Sequence, residues 1–142
     1  MKPSRHIIAS ALLSGVLWFF TKSFFAAGLC FVSGVLIDVD HVIEYIIHYG
    51  ARGLNLKKVY KACEDMRFNR LYLVFHTAEL GILLWAATVL TQNIYLLALA
   101  SGYSLHLILD IVGNQVHPLY YFFILRLLHK FHTERLTKGG RG

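Results

Sequence analysis

Charged side chains are scarce in this chain of 142 residues, where Asp, Glu, Lys and Arg together account for only 15%. Apolar residues account for 56%, and the mean hydropathy is +0.54. The chain is therefore more apolar and less charged than a typical soluble domain, and its length suits one domain. This composition predicts a small integral membrane protein. The alternative is a soluble helical bundle with an unusually apolar core.

Cysteine is also rare, since only Cys30 and Cys63 are present. Cys30 lies in an apolar run and Cys63 in a polar segment, which excludes both a disulfide framework and a CxxC metal site. There is no internal repeat of the length found in solenoids and no low-complexity tract. Glycine and proline are absent from the two short polar breaks, 21–23 and 91–93, that divide the apolar runs.

Four apolar runs follow one another in two pairs. A continuous helix through the first polar break would put Lys22 in the middle of a membrane, which is costly, so a tight helical hairpin is favoured there. The first two runs are shorter than the ~20 residues that cross a bilayer, so their helices must extend past their polar ends. We predict an all-α integral membrane bundle of about four helices in two antiparallel hairpins. The predicted segments are helices 5–20, 24–48, 71–90 and 94–112, a basic loop 49–70, an interfacial helix 119–131 and a tail 133–142.

The apolar runs carry polar residues at comparable distances from the two turns. His6 and Asp38 each lie 16 residues from Lys22, and His76 lies 16 residues from Gln92. At ~1.5 Å per residue, such residues lie roughly 21–27 Å from the turns. His106 and Asp110 fall at the same depth and, being four apart, share one helix face. We therefore expect these side chains to meet at one end of the bundle.

Histidine and carboxylate side chains buried in apolar surroundings need a partner, and a divalent metal is one. Oxygen and imidazole ligands suit Zn, Mn or Fe, with Zn preferred here. A carboxylate left free could act as a general base, and Asp40 and Glu79 are the candidates. The predicted ligands are enough for two ions and are His6, Asp38, His41, His76, Glu79, His106 and Asp110.

Each motif also has a simpler explanation. His106 and Asp110 could form a hydrogen-bonded pair inside a bundle, and Glu79 could be a helix N-terminal residue favoured by the helix dipole. Asp38, Asp40 and His41 could be a solvated helix end. Glu44 and His48 are interpreted as surface residues or as residues behind the ligands. The shared depth of the motifs is what favours a metal site over these separate explanations.

Basic residues lie almost entirely at the same predicted end of the bundle. The net charge is +6, and 13 of the 14 Lys and Arg residues fall at that end, Lys22 being the exception. This distribution follows membrane topology and not the pattern of a nucleic-acid groove, so no nucleic-acid partner is expected. The positive-inside rule places the site end and both termini in the cytoplasm. Arg52 and Arg70 are predicted to bind an anionic head group.

The motifs resemble the membrane-bound metal-dependent hydrolase family of small bacterial inner-membrane proteins. The similar features are Asp38-x-Asp40-His41 after an apolar hairpin, His76-Thr77, and His106-x-x-x-Asp110 followed by Gly and Pro, with His6 near the N-terminus. This sequence has Ile37 where the family usually has proline. The resemblance implies a location in the bacterial inner membrane and a helical His/Asp/Glu ligand set distantly similar to that of zinc-dependent phospholipase C.

A metal site at the membrane interface suits an amphiphilic substrate. Metal ions activate water and clamp phosphoryl groups, which suits hydrolysis of a phosphoester. The sequence therefore predicts a hydrolase that cleaves a phosphoester in a lipid or lipid-linked anionic molecule. A non-catalytic metal-binding or transport protein is the first alternative, although few polar residues lead from the site toward the turns. A structural protein whose polar residues only pair helices is the second. The sequence leaves the oligomeric state open.

Overall fold

The computed structural model describes residues 3–52, 54–65, 68–114 and 117–132. The structure is 77% helix and has no strand among these residues, which confirms the all-α prediction. The predicted tail 133–142 lies outside the described residues. The chain divides into two compact units, residues 1–37 with 78–114 and residues 38–77 with 115–142. The helices are α1 (Pro3–Thr21), α2 (Phe24–Leu36), α3 (Val39–Tyr49), α4 (Leu56–Glu64), α5 (Ala78–Thr91), α6 (Ile94–Gly113) and, after a 3-10 turn at Pro118–Tyr121, α7 (Phe123–Leu128).

Both tight turns of the first unit have the same construction. Lys22 and Gln92 adopt left-handed backbone conformations, with φ of 54° and 51°. Each donates its N–H to the carbonyl four residues earlier, which ends α1 and α5. The side chains of Ser23 and Asn93 then accept hydrogen bonds from the first turns of α2 and α6. A left-handed residue followed by an N-cap therefore replaces the glycine or proline that the sequence lacks.

Small and polar residues on matching faces bring α1, α2 and α6 together in the first unit. Ala26 and Cys30 of α2 pack against Ala98 of α6. A Cβ atom at Gly102 would collide with the carbonyl of Cys30, and one at Gly34 would collide with the hydroxyl of Ser10. Such close approach of backbones is typical of helix packing in membranes.

Three stretches are long and apolar enough to cross a membrane. They are Pro3–Thr21, Phe24–Tyr49, which comprises α2 and α3, and Ile94–Gly113. Large apolar side chains are exposed along them, for example Leu12, Phe20 and Val112. These lengths and this apolar surface fit the predicted membrane protein.

The second unit is built around a small apolar core. Phe68, Leu71, Leu73 and Tyr120 are buried there together with Ala62 of α4. Helix α3 ends at Gly50, whose φ of 78° belongs to the left-handed region that glycine adopts without steric cost. Asn55 caps α4 by accepting a hydrogen bond from the N–H of Lys57.

Two segment boundaries differ from the sequence-based prediction. The helix expected over 71–90 begins only at Ala78, because four backbone N–H groups between residues 72 and 76 bond to side chains of α3. The interfacial helix expected over 119–131 is the 3-10 turn at Pro118–Tyr121 followed by the short helix α7. The single helix predicted over 24–48 is two helices in the structure, α2 and α3, with residues 37–38 between them.

Substitution of Gly102 tests the packing of α2 on α6. We expect Gly102→Ala to lower the free energy of unfolding by about 1–3 kcal/mol, because the new methyl group meets a backbone carbonyl that cannot rotate away. Gly28→Ala is the matched control, since nothing lies within 4 Å of a Cβ built there. Thermal unfolding in detergent measures both variants. Equal midpoints for the two would contradict this packing.

Alkylation of Cys63 tests the packing of the second unit. Burial raises the pKa of the Cys63 thiol to about 12, with smaller contributions from the charges of Asp38 and Glu44. At pH 8 the folded protein therefore holds on the order of a thousandfold less thiolate at Cys63 than the unfolded chain. Iodoacetamide labelling followed by peptide mass spectrometry should show slow modification of Cys63 until the protein is denatured. Equal rates before and after denaturation would disprove the burial.

Candidate metal centre

Three ligand-type side chains of the first unit meet in its interior. His6 of α1 and His106 and Asp110 of α6 are all buried, and one ligand atom of each lies within 4.8 Å of the others. Nε2 of His6 is 3.2 Å from Oδ1 of Asp110, and Nε2 of His106 is 3.6 Å from Oδ2 of the same carboxylate. The two imidazole rings stack with their centroids 4.1 Å apart. We call these three residues the inner group.

The protonation of His106 follows from its backbone contact. Its Nδ1 lies 2.9 Å from the carbonyl oxygen of Gly34. A carbonyl only accepts hydrogen bonds, so Nδ1 must carry a proton. In the neutral imidazole, Nε2 then turns its lone pair toward the Asp110 carboxylate. A backbone carbonyl that fixes the tautomer of an imidazole in this way is the usual support behind a metal-binding histidine.

The local sequence explains why the Gly34 carbonyl is available. Helix α2 ends at Leu36, and the last carbonyls of a helix lack partners within it. Gly34 is also buried, and its missing side chain leaves room for Ser10 of α1. His6, Ser10 and Ser14 form the buried stripe of α1. The close packing that brings α1 to α2 therefore also brings His6 into the inner group.

The donor set of the inner group fits a divalent metal. Ligand atoms around an ion with bonds of about 2.0–2.2 Å lie roughly 3–4 Å apart, which matches the His–Asp separations of 3.2 Å and 3.6 Å. Nδ1 of His6 is buried and has no hydrogen-bond partner among the described residues. A second imidazole and a carboxylate on facing helices suit Zn, Mn or Fe. The same contacts would also serve a hydrogen-bonded cluster that pairs α1 with α6.

A second set of ligand-type residues lies at the start of the second unit. Nε2 of His76 and Nε2 of His41 lie 3.7 Å and 3.8 Å from Oδ1 of Asp38. The rings of His41 and His76 have their centroids 4.8 Å apart. The side chains of Asp38 and His41 are about one third exposed, at 31% and 28%, whereas His76 is buried. We call Asp38, His41 and His76 the outer group, because solvent reaches two of its members.

Asp40 lies behind the outer group. Its Oδ2 accepts hydrogen bonds from the backbone N–H groups of Phe75 and His76 and lies 3.4 Å from Nδ1 of His76. Asp40 is only 4% exposed, so these N–H groups compensate for the loss of water around its charge. A carboxylate in contact with the far nitrogen of an imidazole fixes the orientation of the ring.

The sequence left one functional candidate undecided and missed another. Glu44, interpreted as a surface residue or as a residue behind the ligands, is 1% exposed, and its Oε2 accepts hydrogen bonds from the N–H groups of Tyr72 and Leu73. Arg126 was assigned to an interfacial helix but is completely buried in the second unit. The position of Glu44 four residues after Asp40 on α3 is the signal that could have identified it.

The remaining predicted site residues lie elsewhere. Glu79 is half-buried in the first turn of α5, within the first unit, where the helix dipole favours a carboxylate. It lies outside the inner group. Arg52 and Arg70 are exposed in the second unit. The backbone of Arg70 pairs with that of His132 in a single antiparallel β-bridge. The expectation that the five residues counted from the turns lie at one depth stays a prediction; they are His6, Asp38, His76, His106 and Asp110.

Replacement of Asp40 tests its backbone contacts. Asp40→Ala should lower the free energy of unfolding by about 2–4 kcal/mol, because two N–H groups lose their acceptor. Asp40→Asn should cost less, since the amide oxygen still accepts. The matched control is Asp65→Ala, which removes an exposed carboxylate of the same unit. Chemical denaturation measured by circular dichroism would contradict this interpretation if Asp40→Ala and Asp65→Ala behaved alike.

Comparison of the chain with known protein families, with curated proteins and with solved structures gives no match. The resemblance to membrane-bound metal-dependent hydrolases therefore stays a prediction that rests on the motifs of this sequence. The geometry itself establishes that buried His and Asp side chains of this chain could hold a metal ion.

Proposed function

We propose that the protein is a membrane-bound metal-dependent hydrolase that cleaves a phosphoester in a lipid or lipid-linked substrate. The observation that carries the proposal is the inner group, in which two imidazoles share one buried carboxylate and the tautomer of His106 is fixed by a backbone carbonyl. A buried site of this composition costs free energy unless a cation or protons balance its charge. The resemblance of the motifs to a hydrolase family adds to this argument.

We propose two divalent ions, Zn preferred over Mn or Fe. The inner group would hold one ion through His6, His106 and Asp110, and the outer group would hold another through Asp38, His41 and His76. The partial exposure of Asp38 and His41 gives a substrate access to the outer group. Glu79, half-buried on α5, is the remaining candidate ligand. A bound ion would supply Lewis acidity, which lowers the pKa of water and stabilises charge on a phosphoryl oxygen.

The chain's own residues would hold a ligand in place, accept a proton and bind the substrate. Asp40 holds His76 through its backbone and its ring. Either Asp40 or Glu79 would accept a proton from the attacking water as general base. Arg52 and Arg70 are exposed cations on the second unit, suited to an anionic head group. The apolar surface of the three long helical stretches suits a substrate that arrives through the lipid.

The proposal includes a location in the bacterial inner membrane. Four helices in two antiparallel hairpins would span it, with an interfacial segment over 119–131. The site end and the termini would face the cytoplasm, since the sequence predicts 13 of the 14 Lys and Arg residues at that end. Membrane lipid is then the surrounding medium and the source of substrate.

The complete burial of the inner group favours a second candidate function. A site closed to solvent is typical of metals that hold a structure together, whereas catalytic sites keep an open position. The second candidate is therefore a non-catalytic metal-binding or transport protein of the membrane. It predicts bound metal without phosphoesterase activity.

Metal content is the first test. Elemental analysis of the detergent-purified protein should find about one or two Zn, Mn or Fe ions per chain, consistent with sites of the kind that activate water. The double variant His106→Ala/Asp110→Ala should lose the inner ion. The control His129→Ala removes an exposed histidine outside both groups and should retain all metal.

A screen of phosphatase and phospholipase substrates follows for protein that holds metal. Hydrolysis that disappears in the double variant supports the hydrolase. Bound metal without hydrolysis supports the second candidate. A folded wild-type protein that takes up no stoichiometric metal, even when metal is supplied, would eliminate both candidates and leave helix pairing as the role of the polar residues.

A further inference from the structure

Arg126 is buried without any exposed surface, although it lies on the short helix α7. Its guanidinium donates to the carbonyl of Tyr72 at 2.6 Å and twice to the carbonyl of Leu73 at 3.0 Å. It also donates to the carbonyl of His76 at 3.3 Å. The aromatic rings of Tyr120 and Phe123 lie 5.6 Å and 5.7 Å from its central carbon. A buried cation is tolerated only where acceptors such as these carbonyls replace the water around its charge.

The opposite side of the same backbone is held by two carboxylates. Glu44 accepts from the N–H groups of Tyr72 and Leu73, and Asp40 accepts from those of Phe75 and His76. Four N–H groups of this segment therefore face carboxylates, and three of its carbonyls, those of Tyr72, Leu73 and His76, face a cation. These charge-assisted hydrogen bonds are stronger than bonds between neutral groups.

The conformation that is held in this way is not one the chain would adopt by itself. Leu73 has a φ of 34°, a value that bulky side chains rarely tolerate. Strained backbone persists only where its surroundings over-determine it, and such positions concentrate at functional sites. Leu73 contacts both Glu44 and Arg126 through its backbone, so the strain lies between the two charged side chains. Three residues later the segment delivers His76 to the outer group.

We propose that Arg126 is a positioning residue for His76, and that it sets the metal affinity of the outer group through the backbone of residues 72–76. The effect on metal binding rests on the proposed function. The effect on the backbone does not. Lysine cannot replace Arg126, because the planar guanidinium serves three carbonyls at once and a lysine ammonium lacks this fork geometry.

The test uses the full chain in detergent, first free of metal. Hydrogen exchange of residues 72–76 should accelerate about tenfold or more in Arg126→Lys and Arg126→Gln, because local opening becomes easier. Exchange along α6 should stay unchanged. Added methylguanidinium should slow exchange again in Arg126→Ala by occupying the vacated space. Lys57→Gln, which removes an exposed cation of the same unit, is the control.

The second measurement is zinc affinity by competition with a chelator. Arg126→Lys should weaken binding at the outer group by about 10- to 100-fold, the usual effect of losing support behind a ligand. Methylguanidinium should restore part of the affinity in Arg126→Ala. The visible spectrum of the Co²⁺-substituted protein should change in Arg126→Lys, and the same change is expected in His76→Ala. The spectrum of Lys57→Gln should match that of the wild type.

The outcomes separate this inference from the proposed function. Loss of protection at residues 72–76 in a protein that never binds zinc would eliminate the metal site and keep Arg126 as the residue that positions His76. Tight zinc binding and unchanged exchange in the Arg126 variants would overturn the inference and leave the proposed function intact. If the Arg126 variants fail to fold, the wild-type protein decides, because amides of residues 72–76 that exchange as fast as those of an unfolded chain would also overturn the inference.

Discussion

Hydrogen bonds between buried side chains and the backbone are the interactions on which both groups of candidate ligands depend. The Gly34 carbonyl fixes the ring of His106, and the N–H of His76 binds Asp40. In an apolar bundle each of these groups would lose water without compensation, so the backbone supplies the missing partners. These contacts also fix orientation, because a backbone group moves less than a side chain. The same hydrogen bonds therefore compensate for burial and hold the candidate ligands in position.

Small side chains make the inner group possible. The buried stripe of α6 runs through Ala98 and Gly102 to His106 and Asp110, at intervals of four residues. Ala98 and Gly102 let α6 approach α2 closely, and His106 and Asp110 are the candidate metal ligands. The stripe of α1 has the same composition in the opposite chain order, since His6 comes first and Ser10 and Ser14 follow it. Van der Waals packing along the helices thus determines where the polar ends of the stripes meet.

The sequence predicted the helical class, the two tight turns and the pairing of His106 with Asp110, because each depends on residues near one another in the chain. It did not predict that residues 71–77 leave the helix. Leu73, Val74 and Phe75 are as apolar as a helical segment, and the carboxylates that capture this backbone lie about thirty residues earlier. Arg126 was equally inaccessible to sequence analysis. Among apolar neighbours near a basic tail, a buried arginine and a membrane-surface arginine have the same local pattern.

The contact of Arg126 with the carbonyls of Tyr72 and Leu73 also bears on the order of events during biosynthesis. Every member of the inner group precedes Arg126 in the chain, whereas the backbone that carries His76 must wait for Arg126. The described residues of the first unit are therefore all synthesised before the residue that holds the backbone of His76. A nascent chain that stops short of Arg126 would resemble the mature protein in its inner group and differ from it in its outer group.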